Sequence, residues 1–325
     1  MSGISALFKA REMPVFIAIA VVILMTGIAN PRFLDDRCRR HPSWRVNCGH
    51  LGGGADFVIV MRHIDLSVGS LIGFTSFVIG DLYDMGYGTS GALLGALAIG
   101  VAVGAANGFL VAYLRLPSLV VTLGSLYIVR GIFSEYAFGR TVTAAMVPPE
   151  IAFLGFNRLF GIPYLFLLGL ALVIVSGFIM KRVRSARDLY AIGSNPQAAE
   201  LAGIPVARRV FTAFVVNGAI AGLAGAVMLG RFNAANANSA LALELVVVAA
   251  CVVGGVTIAG GSGTVWGAFL GAILLQSITR AIGALGIPQF WQQAFNGALI
   301  ILAIAFDRYL NSRVKATTIM GSKDE

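Results

Sequence analysis

TSGALLGALAIGVAVGAANGFLVAY, residues 89–113, runs for 25 residues without one charged side chain. At 1.5 Å per residue a helix of that length reaches about 37 Å, more than the ~30 Å hydrocarbon core of a bilayer. Working outward, comparable apolar runs occupy 13–30, 66–85, 118–138, 161–180, 210–230, 242–259, 263–283 and 289–307. That makes nine candidate spans. All read as α-helices, because barrel strands would alternate apolar and polar residues in segments of ~10. Small residues recur four apart at Gly91/Gly95, Gly100/Gly104, Gly218/Gly222 and Gly263/Gly267/Gly271. That spacing lets helix backbones approach closely in lipid, where no hydrophobic force drives association.

Composition agrees. Of 325 residues, 58% are hydrophobic and only 12% charged, with a mean hydropathy of +0.85. An average soluble protein carries ~25% charged residues, so a cytosolic enzyme, a disordered tail protein and a disulfide-stapled secreted domain are all excluded. The fold class is an all-α polytopic membrane protein. The excess of 24 Lys and Arg over 15 Asp and Glu gives a net charge of +9. Without a contiguous soluble surface, that excess reads as topology and not as nucleic-acid binding. The first apolar run is long and no small-residue cleavage site follows it, so a cleavable signal peptide is not expected.

Charge asymmetry then orders the loops. Residues 181–209, KRVRSARDLYAIGSNPQAAELAGIPVARR, hold six basic residues against Asp188 and Glu200, which predicts a cytoplasmic loop. The tail with Arg308, Arg313, Lys315 and Lys323 and the short link at Arg115 fall on the same side. The stretch 139–160, with only Arg140 and Arg158, is expected outside. Segment 35–56, DDRCRRHPSWRVNCGHLGGGAD, is anomalously polar, with four arginines and two of the three cysteines. If it spans nothing, the N-terminus lies outside. If it stands for a span, there are ten helices with both termini inside. Charge counting leaves both open.

Few residues offer chemistry. None of Lys9, Lys181, Lys315 and Lys323 follows a glycine-rich loop, so there is no GxxxxGK[ST] phosphate cradle for ATP. No GxSxG or HExxH motif appears, and no catalytic residue, cofactor or metal is expected. Cys38, His41, Cys48 and His50 match no common structural zinc spacing. A Cys38–Cys48 disulfide fits somewhat better if the segment is extracytoplasmic, and Cys251 reads as a small apolar residue within a span. Arg130 and Arg280 are the clearest intramembrane charges, while Asp65, Asp81, Asp84 and Glu244 sit near span ends. No carboxylate relay therefore marks an internal energy source. Within the basic loop, Asn195 reads as an N-cap, Pro196 as the first helical residue and Gly203 as the stop. That short helix is either a plain connector or a docking element for a cytoplasmic partner.

Five stretches together carry a resemblance: IDLSVGSLIG (64–73), VVTLGSLYIVRG (120–131), YAIGSNPQAAELAGI (190–204), AGLAGAVMLGR (221–231) and AACVVGGVTIAGGSGTVWGAFLGAILL (249–275). They are similar to the membrane permease subunit of bacterial monosaccharide ABC importers, the ribose/xylose/galactoside type with its rhamnose and autoinducer-2 branches. The similarity covers roughly 57–309, together with the first helix and its NPRF end (30–33). Its motif residues here are Asp65, Ser67, Gly69, Gly254, Gly255, Gly260, Gly261 and Gly263. The resemblance implies a single ten-helix permease domain over 1–325 in the bacterial inner membrane. It also implies three partners: a cytoplasmic ATPase subunit, a second permease chain (identical or not) and an extracytoplasmic sugar-binding protein. Between Phe33 and Ile64 the family has a second membrane helix. The 30-residue spacing is kept here and GADFVIV (54–60) resembles that helix's end, but 35–53 is foreign in composition. Kept length with foreign content suggests two compensating frameshifts, which re-sequencing of codons 34–56 would test.

The resulting expectation is a subunit forming half of a sugar path, powered from elsewhere. A self-contained facilitator or secondary carrier is the competing class. The residues expected to dock the ATPase are Gly193, Asn195, Glu200, Leu201, Gly203 and Ile204, with packing of Leu201 and Ile204 outweighing the Glu200 charge. Neutral amides suit a polyhydroxylated, uncharged substrate, so Asn107, Asn217, Gln276, Gln292 and Asn296 are candidates for the path. Each could equally serve as interhelical glue.

Overall fold

The computed structural model describes residues 13–30 and 55–288, with 291, 294, 297, 298 and 301. Gln292, Asn296, the C-terminal tail and nearly all of 35–56, including Cys38, His41, Cys48 and His50, lie outside the described residues. Every long element is helical: α1 Met13–Ala29, α2 Ala55–Ile59, α3 Val68–Asp84, α4 Gly88–Ala112, α5 Ser118–Ala137, α6 Pro149–Phe156, α7 Tyr164–Arg182, α8 Arg184–Ser194, α9 Pro196–Leu201, α10 Val206–Phe232, α11 Leu243–Val253 and α12 Val265–Ala284. A two-residue antiparallel pair, Arg158–Leu159 with Ile162–Pro163, is the one sheet among the described residues. Among the described residues, five helices (α4, α5, α7, α10 and α12) are long and apolar enough to cross a membrane.

The helix ends follow from local chemistry. Pro117, extended at φ −58 and ψ 124, precedes α5, and Phe138 and Gly139 turn left-handed after it. Pro163 likewise precedes α7. One boundary departs from expectation. The run 242–259 is apolar apart from Glu244 and Thr257, yet α11 ends at Val253 after 11 residues. Gly255, at φ 87, reverses the chain there, and hydropathy does not register a turn made of apolar residues.

α10 is the central post, lying along α4 and α3. Its crossing with α4 is made backbone to backbone. A Cβ on Gly100 would run into the carbonyl oxygen of Gly218, one on Gly218 into that of Gly100, and one on Gly222 into that of Ala96. The α11–α12 pair repeats the device, with Gly254 and Gly267 facing each other. Two apolar cores flank the post. One gathers Phe77, Phe133, Val142 and Leu229 towards the end of the bundle holding 138–163. The other gathers Val58–Met61, Leu71, Ile192 and Phe214 towards the basic end, which holds Arg115 and 181–209. Val58, Ile59, Val60 and Met61 are among the most deeply buried residues described, so the stretch after the anomalous segment is firmly seated.

Candidate functional site

Three features of the basic half bear on function. The first is a buried polar knot under the start of α3. Asp65 is not a surface charge at a span end, since it is 6% exposed. Its Oδ1 accepts from the Ser67 amide (2.9 Å) and the Ser67 hydroxyl (2.6 Å), and its Oδ2 accepts from Asn217 Nδ2 on α10 (2.7 Å). Asn107 Nδ2 on α4 donates to Ser67 Oγ at 3.0 Å, and Asn107 Oδ1 accepts from the Ser125 hydroxyl on α5. Both amides thus tie three helices to the IDLSVGS loop, with their hydrogen bonds directed inward. Gln276 is also buried, on α12.

The second feature is a three-way junction at the basic end. Arg62, itself left-handed at φ 68, donates through Nε to the carbonyl of Gly193 and through Nη2 to that of Ser194 (2.6 Å). Those are the last carbonyls of α8, where a helix has unpaired acceptors and partial negative charge. The Gly261 amide donates to Val60 O at 2.8 Å, and the Tyr190 hydroxyl to Gly263 O at 3.1 Å. Any Cβ here collides: from Gly193 with Val60 O, from Gly260 with the Arg62 side chain, and from Gly261 with Ser194. Gly260 and Gly261 are also left-handed, at φ 77 and 75. The motif glycines therefore meet the loop 181–209 directly. Of the others, Gly69 leaves room for Glu244, and Gly263 packs on Val256.

The third is α9. Asn195 Oδ1 accepts from the Ala198 amide at 3.1 Å, Pro196 takes the first helical position, and Gly203 stands at φ 79 with open space where a Cβ would go. Glu200 and Leu201 point away from the core, Leu201 being 91% exposed. Ile204 instead packs inward against the core, so the two apolar residues grouped in the sequence part company. Beside α9 opens a cavity of about 560 Å³, lined by Arg62, His63, Arg115, Ser118 and Glu200 among others. Sequence reasoning missed Arg62. Its position immediately before His63 and the IDLSVGS motif was the available signal.

A polytopic helical bundle with small-residue crossings, an internal polar knot and a helix presented at its basic end defines a transport permease of the membrane. The chain belongs to the family described as the permease component of the branched-chain amino acid transport system, whose model matches residues 51–304. Among its relatives is the L-arabinose ABC transporter permease protein AraH of Azospirillum brasilense, 34% identical over 264 residues, covering 81% of this chain and 77% of that one. The autoinducer 2 import system permease proteins LsrC of Enterobacter sp. strain 638 and of Klebsiella pneumoniae are 33% and 34% identical over 303 residues. They align with 93% of this chain and with 88% and 87% of their own lengths. No solved structure matches.

Proposed function

We propose that this chain is the membrane-spanning subunit of an ATP-driven importer that moves a monosaccharide or similar small polyol delivered by an extracytoplasmic binding protein. The observation carrying the reading is the junction at Arg62. A helix exposed at the basic end is joined through Gly193 and Ser194 to the loop that opens α3 and to the glycine loop after α11. Such an arrangement suits force applied from outside the membrane. Docking by α9 into a cytoplasmic ATPase would use Leu201 and Glu200, with Asn195 and Gly203 setting the helix limits and Gly193 and Ile204 fastening it. Relatives named for arabinose and autoinducer 2 import support a sugar-like cargo. A second permease chain would complete the path, and the bacterial inner membrane is the setting. Ten spans would follow from the eight helices of 11 residues or more outside the loop and α6, an inserted helix ending at α2, and 289–307.

Reconstitution tests this. Proteoliposomes carrying the permease with ATPase and binding protein should accumulate sugar only with ATP. Downhill flux through the permease alone would establish the facilitator reading instead.

A further inference from the structure

The chain between α10 and α11, NAANANSALA (233–242), has no α-helix, and its Asn233, Ala240 and Ala242 are left-handed. It begins at the far end, where Ala235 pairs with Val142 beside Gly80 of α3. It then descends along α3, placing the Ser239 carbonyl against Gly73 and the Glu244 amide against Gly69. At 1.5 Å per residue, those positions lie about 10 Å and about 16 Å below Gly80. Irregular backbone thus enters well into the thickness of the bundle.

Arg130, seven residues from the end of α5, organises it. Nη1 donates to the carbonyls of Ala237 (3.1 Å) and Ser239 (2.9 Å), and Nη2 reaches that of Ala240 (3.4 Å). At the foot of the segment Glu244 is 9% exposed, and its Oε2 has no hydrogen-bond partner among the described residues. Asn236 and Asn238 remain exposed. Non-helical backbone at membrane depth does not face lipid; it is found buried in protein or lining a water-filled cavity. Asparagines exposed on this chain at that level therefore face water or a further protein surface, not lipid.

We propose that residues 233–242 form a wall of the substrate path, with the Asn238 side-chain amide and the Asn236 Nδ2 (its Oδ1 accepts from the Asn238 main chain) presenting neutral hydrogen-bonding groups to sugar hydroxyls, Glu244 sealed against Gly69 beneath them, and Arg130 as the positioning residue. The assignment of cargo rests on the import reading above, whereas the aqueous wall does not. It places the path on residues other than Asn107 and Asn217, whose amides are taken up in the knot.

The test replaces Cys38, Cys48 and Cys251 by Ser and introduces Asn236→Cys, Asn238→Cys or, as a lipid-face comparison, Phe178→Cys, each in the full complex in membrane vesicles. The probe is a membrane-impermeant, positively charged methanethiosulfonate. Labelling at 236 and 238 with silence at 178, followed by loss of uptake of radiolabelled L-arabinose, D-ribose, D-xylose and L-rhamnose in the labelled complexes, is the expected result. Silence at 236 and 238 in native membranes but reaction after denaturation would overturn the wall. Labelling that leaves uptake at the unlabelled level would place water there but move the sugar elsewhere. If even the unlabelled complex imports none of the sugars, the cargo assignment falls with the import reading, and the labelling pattern still decides the wall.

Discussion

At the residue scale, the polar side chains of the knot under α3 are held in pairs that tolerate no half measures. Asn217 supplies the one hydrogen bond recorded at Asp65 Oδ2, so Asn217→Leu leaves a buried carboxylate oxygen without a donor. A buried acceptor stranded in this way costs ~1–3 kcal/mol, more if charged, and should lower the unfolding midpoint in detergent micelles. Arg130→Lys keeps the charge but loses the planar fork that reaches three carbonyls. Its expected outcome is lost uptake with wild-type expression and retained ATPase assembly. Gly203 offers a cleaner separation, because its surroundings are empty and only its left-handed φ constrains it. Gly203→Asn should be tolerated, since asparagine adopts that conformation, whereas Gly203→Val should strain α9 and uncouple sugar-stimulated ATP hydrolysis from uptake. Equal activity in both variants would reduce the loop to a connector. The sequence revealed these amides as polar residues within spans. It did not reveal their partner, because Asp65 looked like a charge at a span end.

Among elements, the α4–α10 crossing shows what small-residue spacing means once partners are known. Spacing marked Gly100/Gly104 and Gly218/Gly222 as contact stripes, but nothing in one dimension said that they face each other. Gly100→Leu and Gly218→Leu should each force the helices apart and cost ~1–3 kcal/mol by overpacking, read as reduced folded yield after membrane extraction. Gly131→Leu, where a Cβ meets open space, is the control expected to be neutral. Helix α6 packs on α10 backbone to backbone, at Gly155 and Gly230. Its Glu150 carboxylate accepts from the Thr89 hydroxyl at 2.6 Å, which holds the Glu150 pKa below the usual carboxylate value. A depressed folded pKa contributes stability above the unfolded pKa that is lost as pH falls through the folded one. Thr89→Val should therefore raise the Glu150 midpoint, as carboxyl NMR titration would show. Hydropathy placed the long helices well because ~20 apolar residues leave little freedom. It overran α11, where glycines reverse the chain, and it passed over 233–242, which holds no apolar run for it to register.

Across the whole molecule, the Arg62 junction joins the basic end to the loops that open α3 and follow α11. Arg62→Gln keeps a donor but cannot span both α8 carbonyls, so it should lower sugar-stimulated ATPase activity while the complex still assembles. Unchanged stimulation would remove Arg62 from coupling. The junction has a further property that follows from its main-chain contacts. Val60, Gly193, Ser194 and Gly261 meet through main-chain atoms, and main-chain contacts have no rotamers in which to absorb displacement. The Gly261 amide proton, held by Val60, can reach solvent only when the segments separate. Its deuterium exchange is then a clock on that separation: slow in any state where the three segments move as one piece, and quickened by whatever step of the cycle parts them.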